Sequence, residues 1–177
     1  MNKPILYSDF DGVIYDTISV AIDMMREHID VDNRKERDYY FRYLLDWNEL
    51  YRKAEIINDA TKKLAYFKDS NIFSDVVILS KLCGNYDEEK LKRDFLSEVL
   101  PQIKLITLQY DLHKTSIVNP KGNILVDDER KYCLDWNNHD GIAVLFRKDI
   151  IDLENNIIND LADITNTNGV KRLIKKL

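Results

Sequence analysis

Short apolar runs bounded by turn residues recur along the chain: "ILYSDF", "DVVILS", "IKLITL", "GNILVDD" and, soon after the last, "GIAVLF". Their length and their Val and Ile content predict buried parallel strands. Between "VVILS" and "IKLITL" lies "NYDEEKLKRDFLSEVLP", in which Leu91, Phe95 and Leu96 share one helical face and Pro101 marks the stop. Between "NILVDD" and "GIAVLF" lies "ERKYCLDWNNHD", long enough for a helix and a turn. Strands alternating with helices predict an α/β fold: an open parallel sheet in three layers.

The interval from Thr17 to Asn71 breaks the alternation. It has no strand-like run and carries "SVAIDMMREHI" and then "KERDYYFRYLLDWNELYRKAEIINDATKKLAYF", a pattern of several helices. Tyr40, Tyr43, Trp47 and Leu50 recur at helical spacing, with Phe41, Leu44 and Leu45 on the neighbouring face. The expected division is a core domain of residues 1–16 and 72–177 with a small helical cap, 17–71, inserted after the first strand. Ligands of open α/β sheets bind at the C-terminal ends of the strands, so a cap there covers a site. Tyr39, Tyr40, Phe41, Tyr43, Trp47 and Tyr51 are expected mainly as the cap's own core, with one or two facing the ligand. Arg42 is a charge amid apolar neighbours that reaches either a phosphate or water. In the tail "GVKRLIKKL", Val170, Leu173, Ile174 and Leu177 form one face, expected to dock on the core domain.

Composition narrows the function classes. The 177 residues are 45 % apolar and 32 % charged, with a net charge of −5. That balance opposes a duplex-binding surface, which needs a broad basic face. It leaves room for a small anionic substrate, because a metal ion and a lysine reverse the sign of a pocket locally. Two cysteines and three scattered histidines make neither a disulfide framework nor a zinc or histidine metal centre. The opening "MNKPILYSDFDG" does not read as a signal peptide, and no stretch is apolar for long enough to span a bilayer. A cytoplasmic location is expected; oligomeric state is not legible.

The strand ends carry the chemistry. The first ends in Asp9 and Asp11, the second in Ser80, the fourth in Asp127 and Asp128, and Lys114 precedes the fourth. In a parallel sheet these groups gather at one edge. Several carboxylates together repel unless a cation shares the site, and an oxygen-only ligand set suits Mg²⁺. Metal, carboxylate, lysine and hydroxyl together make a phosphoryl-transfer set. One aspartate of the first pair can attack phosphorus while the other gives a proton to the leaving group and later takes one from water. Gly12 allows a sharp turn straight after the pair. Asp16 is expected as a helix cap or hinge.

The ordered set "SDFDGVIYDT", "VVILS", "HKT" and "NILVDDE" resembles the motifs of the haloacid dehalogenase (HAD) superfamily, from about Ile5 to Phe146. The resemblance implies Asp9 as nucleophile and Asp11 as acid/base. It implies a Mg²⁺ ion held by Asp9, the backbone carbonyl of Asp11, and either Asp127 or Asp128. Ser80 and Lys114 would hold the phosphate, with Lys121 in "NPKGN" a rival for the lysine role. Asp11 favours phosphatases over true dehalogenases, which lack that residue. Within the superfamily the "DFDGV" opening and the short helical insertion are similar to the 5′(3′)-deoxyribonucleotidase group. The implied activity is a Mg²⁺-dependent phosphomonoesterase on a small phosphorylated substrate, in the first place a deoxynucleoside monophosphate. The alternatives are a phosphatase or mutase for a sugar phosphate, or a non-catalytic phosphate- or partner-binding module of the same fold.

Overall fold

The computed structural model describes residues 3–83 and 86–175, with Tyr86 described by its backbone alone. Leu177, the last member of the expected tail face, lies outside the described residues.

The apolar runs form the strands they predict: β1 (Ile5–Ser8), β2 (Asp75–Leu82), β3 (Lys104–Gln109), β4 (Ile124–Asp127) and β5 (Ile142–Phe146). A sixth, β6 (Ile157–Ile158), is only two residues long and was not foreseen. All pair in parallel in the order β3-β2-β1-β4-β5-β6. The chain runs outward from β1 through β2 to β3, then returns to β4 on the other side. The crevice between the ends of β1 and β4 is therefore the topological switch point of the sheet, where open α/β folds bind ligands.

Alternation along the strands divides the core. Leu6, Val76, Ile78, Ile124 and Val126 point to one face, where Leu96 of α5 (Tyr86–Val99) packs. Tyr7, Val77, Leu79 and Leu125 point to the other, against Cys133 and Trp136 of α7 (Arg130–Asn138). Helices on both faces, with the one-turn α6 (Lys114–Ile117) between β3 and β4, give three layers. On the first face lies also α8 (Asn168–Ile174), which buries Val170 fully and Leu173 and Ile174 partly.

Between β1 and β2 the chain is helical: α1 (Thr17–Arg26), α2 (Arg34–Tyr43), α3 (Trp47–Lys53), a 3₁₀ turn (Ile57–Asp59) and α4 (Ala60–Asp69). Helices α2 and α3 start on Asn33 and Asp46, whose side chains accept the orphan amides of Lys35 and Glu49. The aromatic cluster splits. Trp47 and Tyr51 are buried, Tyr40 and Phe41 partly so, while Tyr39 and Tyr43 face solvent. Asp16 occupies the N-cap position of α1 but makes no side-chain cap bond; it pairs instead with Lys148. No helix among the described residues is long and apolar enough to cross a membrane.

Candidate active site

The β1–β4 crevice gathers four of the expected groups, Asp9, Lys114, Asp127 and Asp128. Asp9 follows β1 directly, and its amide donates to the Val126 carbonyl of β4 at 2.8 Å, so the end of β1 is stitched to its neighbour. Asp9 Oδ1 accepts from the Phe10 amide at 2.8 Å and lies 3.1 Å from Lys114 Nζ. Asp127, fully buried at the end of β4, accepts from Lys114 Nζ at 2.7 Å through Oδ2 and from the Glu129 amide at 2.8 Å through Oδ1. Lys114 is 1 % exposed, so its ammonium bridges the two strand ends away from water. Burial disfavours its charge, but Asp127 and Asp9 outweigh burial and leave its pKa raised. Lys121 sits exposed in the turn before β4. Of the two lysines, Lys114 is the one at the site.

Asp9, Asp127 and Asp128 each offer a carboxylate oxygen within 4.8 Å of the others. Burial first, then Asp127 and Asp11, push Asp9 up to about 7 against the opposing pull of Lys114. Burial and the charges of Asp9 and Asp127 push Asp128 up to about 8. Three crowded carboxylates, of which Asp9 and Asp128 resist ionising, are what a hard divalent cation relieves, so the residues fit Mg²⁺. Both oxygens of Asp127 are taken by protein donors, whereas Asp128 makes no side-chain hydrogen bond among the described residues. Gly12, at φ +70°, makes room for it: a Cβ there would meet Asp128 Oδ2 at 2.6 Å.

Asp11 points elsewhere. Its carboxylate is outside the acidic triad; Oδ1 accepts from Thr17 Oγ1 at 2.7 Å and Oδ2 pairs with Lys92 Nζ at 2.6 Å. Lys92, on α5, was not singled out in the sequence. It is fully buried, and its ammonium also reaches Glu88 Oε1 at 2.7 Å, Ser80 Oγ at 2.9 Å and the Lys81 carbonyl at 3.0 Å. Burial works against that charge, yet Asp11 and Glu88 prevail and raise its pKa. Ser80, fully buried at its place in β2, is thus tied to Asp11 through Lys92. The Tyr51 hydroxyl is buried with no hydrogen-bond partner among the described residues; burial, then Asp11 and Glu88, raise its pKa.

No family model matches the sequence, and no curated protein matches it. Solved structures do. A HAD-superfamily hydrolase of subfamily IA from Geobacter sulfurreducens superposes with a TM-score of 0.63 at 12 % identity, over 93 % of this chain and 98 % of its own. The fold is that of the HAD-superfamily hydrolases. A second structure with the HAD fold, from Bacillus subtilis and bound to magnesium, gives a TM-score of 0.61 at 13 % identity over 94 % of this chain and 98 % of its own. An L-2-haloacid dehalogenase from Xanthobacter autotrophicus, with chloropropionic acid covalently bound, gives 0.59 at 13 % identity over 94 % and 98 %. HAD neighbours thus include dehalogenases, and the expected likeness to deoxyribonucleotidases in particular finds no support among them.

Proposed function

We propose that this protein is a Mg²⁺-dependent phosphomonoesterase that works through an aspartyl-phosphate on Asp9. The observation that carries the reading is the buried set at the switch point: Asp9 with Asp127 and Asp128 within 4.8 Å, and Lys114 joining Asp9 to Asp127. Asp9, Asp128 and the backbone carbonyl of Asp11 would hold the metal, with Asp127 fixing Lys114. The ion supplies charge neutralisation for the phosphoryl oxygens and the carboxylates.

Asp9 Oδ1 is anchored by the Phe10 amide and Lys114, which leaves Oδ2 to attack phosphorus. The P–O bond to the leaving alcohol breaks as the Asp9–phosphorus bond forms. Lys114 and the Ser80 hydroxyl steady the transferring oxygens. An alkoxide needs a proton to depart, whereas a halide does not. In this reading Asp11, two residues beyond Asp9, turns from Thr17 and Lys92 to give that proton and then takes one from the water that cleaves the acyl phosphate. This favours phosphoryl transfer over dehalogenation on the shared fold. Thr17 and Lys92 act as positioning residues for Asp11. A small phosphorylated metabolite is the proposed substrate class, a nucleotide in the first place, and the two free cysteines suit a reducing cytoplasm.

Hydrolysis of p-nitrophenyl phosphate tests the reading. Turnover is expected in Mg²⁺ and abolished by EDTA or by Asp9→Asn. Full activity in either case would sink it.

A further inference from the structure

A cavity of about 700 Å³ opens between the inserted helices and the C-terminal edge of the sheet. It adjoins the catalytic groups: Cys83 in its wall follows β2, Glu129 follows Asp128, and Ile18 lies 3.4 Å from where a Cβ on Gly12 would stand. Its apolar lining comes from Ile18, Ile22 and Met25 of α1 and from Phe41 of α2. Its cationic lining comes from Arg34, Arg37 and Arg42 of α2 and from Lys131.

The four cations are not equivalent. Arg34 lies 3.7 Å from Asp38, and Lys131 lies 3.9 Å from Glu129, and both acids line the same cavity. Arg37 and Arg42 have no carboxylate partner among the described residues. Both are half-buried. Arg37 gives one N–H to the Val31 carbonyl at 3.2 Å, and Arg42 lies over the Tyr110 ring, 4.1 Å from its centroid. Each fork keeps donors in hand, and a guanidinium binds carboxylate or phosphate bidentately. Stacking on Tyr110 fixes the plane of Arg42 at little entropic cost. Both guanidinium groups line a cavity that adjoins the acidic triad of Asp9, Asp127 and Asp128, on a protein of net charge −5.

We propose that the substrate carries a second anionic group, a phosphate or a carboxylate, separated from the reacting phosphoryl group by an apolar or flat body. Arg37 and Arg42 take the distal anion, and the α1 wall with Phe41 takes the body. The inference rests on the phosphomonoesterase reading and goes beyond it: a nucleoside bisphosphate meets the requirement and a nucleoside monophosphate does not.

Two matched pairs provide the probes: adenosine 5′-monophosphate with adenosine 3′,5′-bisphosphate, and phenyl phosphate with 4-carboxyphenyl phosphate. Turnover is measured in Mg²⁺, and binding by calorimetry in EDTA, for the wild type and for Arg37→Gln/Arg42→Gln. The wild type should favour the member with the extra anion in at least one pair, and which pair responds tells phosphate from carboxylate. The double variant should lose about 10- to 100-fold in kcat/KM on that member, the worth of one or two charge-assisted hydrogen bonds. Its turnover of phenyl phosphate should stay unchanged. Equal kcat/KM and equal binding within both pairs would overturn the second-anion subsite while leaving the phosphatase intact. So would an equal loss on phenyl phosphate. Preferential binding of the extra-anion member without turnover of any ester would uphold the subsite and reject the phosphatase.

Discussion

Replacing Lys92 by Met tests the least expected part of the site. The side chain is fully buried, and its Nζ sits 2.6 Å from Asp11 and 2.7 Å from Glu88, itself 1 % exposed. Met fills a similar volume but leaves two carboxylates facing a gap with no cation between them. Stranding one partner of a buried pair costs about 3–5 kcal/mol. For a chain of this size each kcal/mol moves Tm by about 2–4 °C, so a fall on the order of 10 °C is expected by thermal denaturation. Glu88→Gln in the same background should recover a good part of it, because one stranded charge is removed while an amide oxygen still accepts from the Cys83 amide. A double-mutant cycle should give a coupling of at least about 1 kcal/mol between positions 88 and 92. In turnover, Lys92→Met should lower kcat and displace its pH profile, since Asp11 loses the group that orients it. A Tm within about 2 °C of wild type, with additive effects and an unmoved pH profile, would refute the clamp.

Three further outcomes follow from the same geometry. In the metal-free protein Asp9 and Asp128 titrate near 7 and 8, above the ordinary carboxylate value of about 4. The folded state then binds more protons than the unfolded one between these values, so EDTA-treated protein should lose stability as pH rises from about 4 to 8. Mg²⁺ should restore it at pH 8, and Asp128→Asn should flatten the decline; a rising or flat Tm in the wild type would contradict the crowding. Gly12→Ala forces φ +70° on a residue with a Cβ, 2.6 Å from Asp128 Oδ2. It should cost about 1–3 kcal/mol in denaturant unfolding and raise the Mg²⁺ needed for half-maximal turnover about tenfold or more; an unchanged Mg²⁺ requirement would argue against Asp128 as a ligand. Lys114→Met removes the bridge from Asp9 to Asp127 and should reduce kcat about 100- to 1,000-fold, whereas Lys121→Met should leave it unchanged.

Much of the sheet was legible because buried parallel strands advertise themselves as short Val- and Ile-rich runs. The candidate site was legible in part because charge at the end of such a run is locally anomalous: Asp9 follows β1 and Asp127 ends β4, whereas Ser80, expected at the end of its strand, stands two residues inside β2, which runs on to Leu82. Strand β6 escaped because two residues carry no period. Lys92 escaped for a different reason. In "EEKLKRD" the Glu88–Lys92 spacing reads as a solvated i, i+4 pair. The signal was the face: Lys92 lies beside Leu91 and Phe95, on the stripe that packs inward, where a charge needs a buried partner. Similarly Tyr39 and Tyr43 obey helical spacing yet face solvent, because α2 buries no residue fully and lends its inner side to the cavity instead. Which of two adjacent aspartates is free for a metal depends on the tertiary partners of Asp127, Lys114 and the Glu129 amide, which no local pattern encodes.

Trapping the acyl phosphate decides whether Asp9 is the nucleophile. Borohydride added during turnover of p-nitrophenyl phosphate in Mg²⁺ reduces an aspartyl-phosphate to homoserine, which mass spectrometry of the digested protein locates. Homoserine is expected at position 9, dependent on substrate and on Mg²⁺. Unmodified Asp9 in a protein that is turning over substrate, or homoserine at another position, would contradict that role.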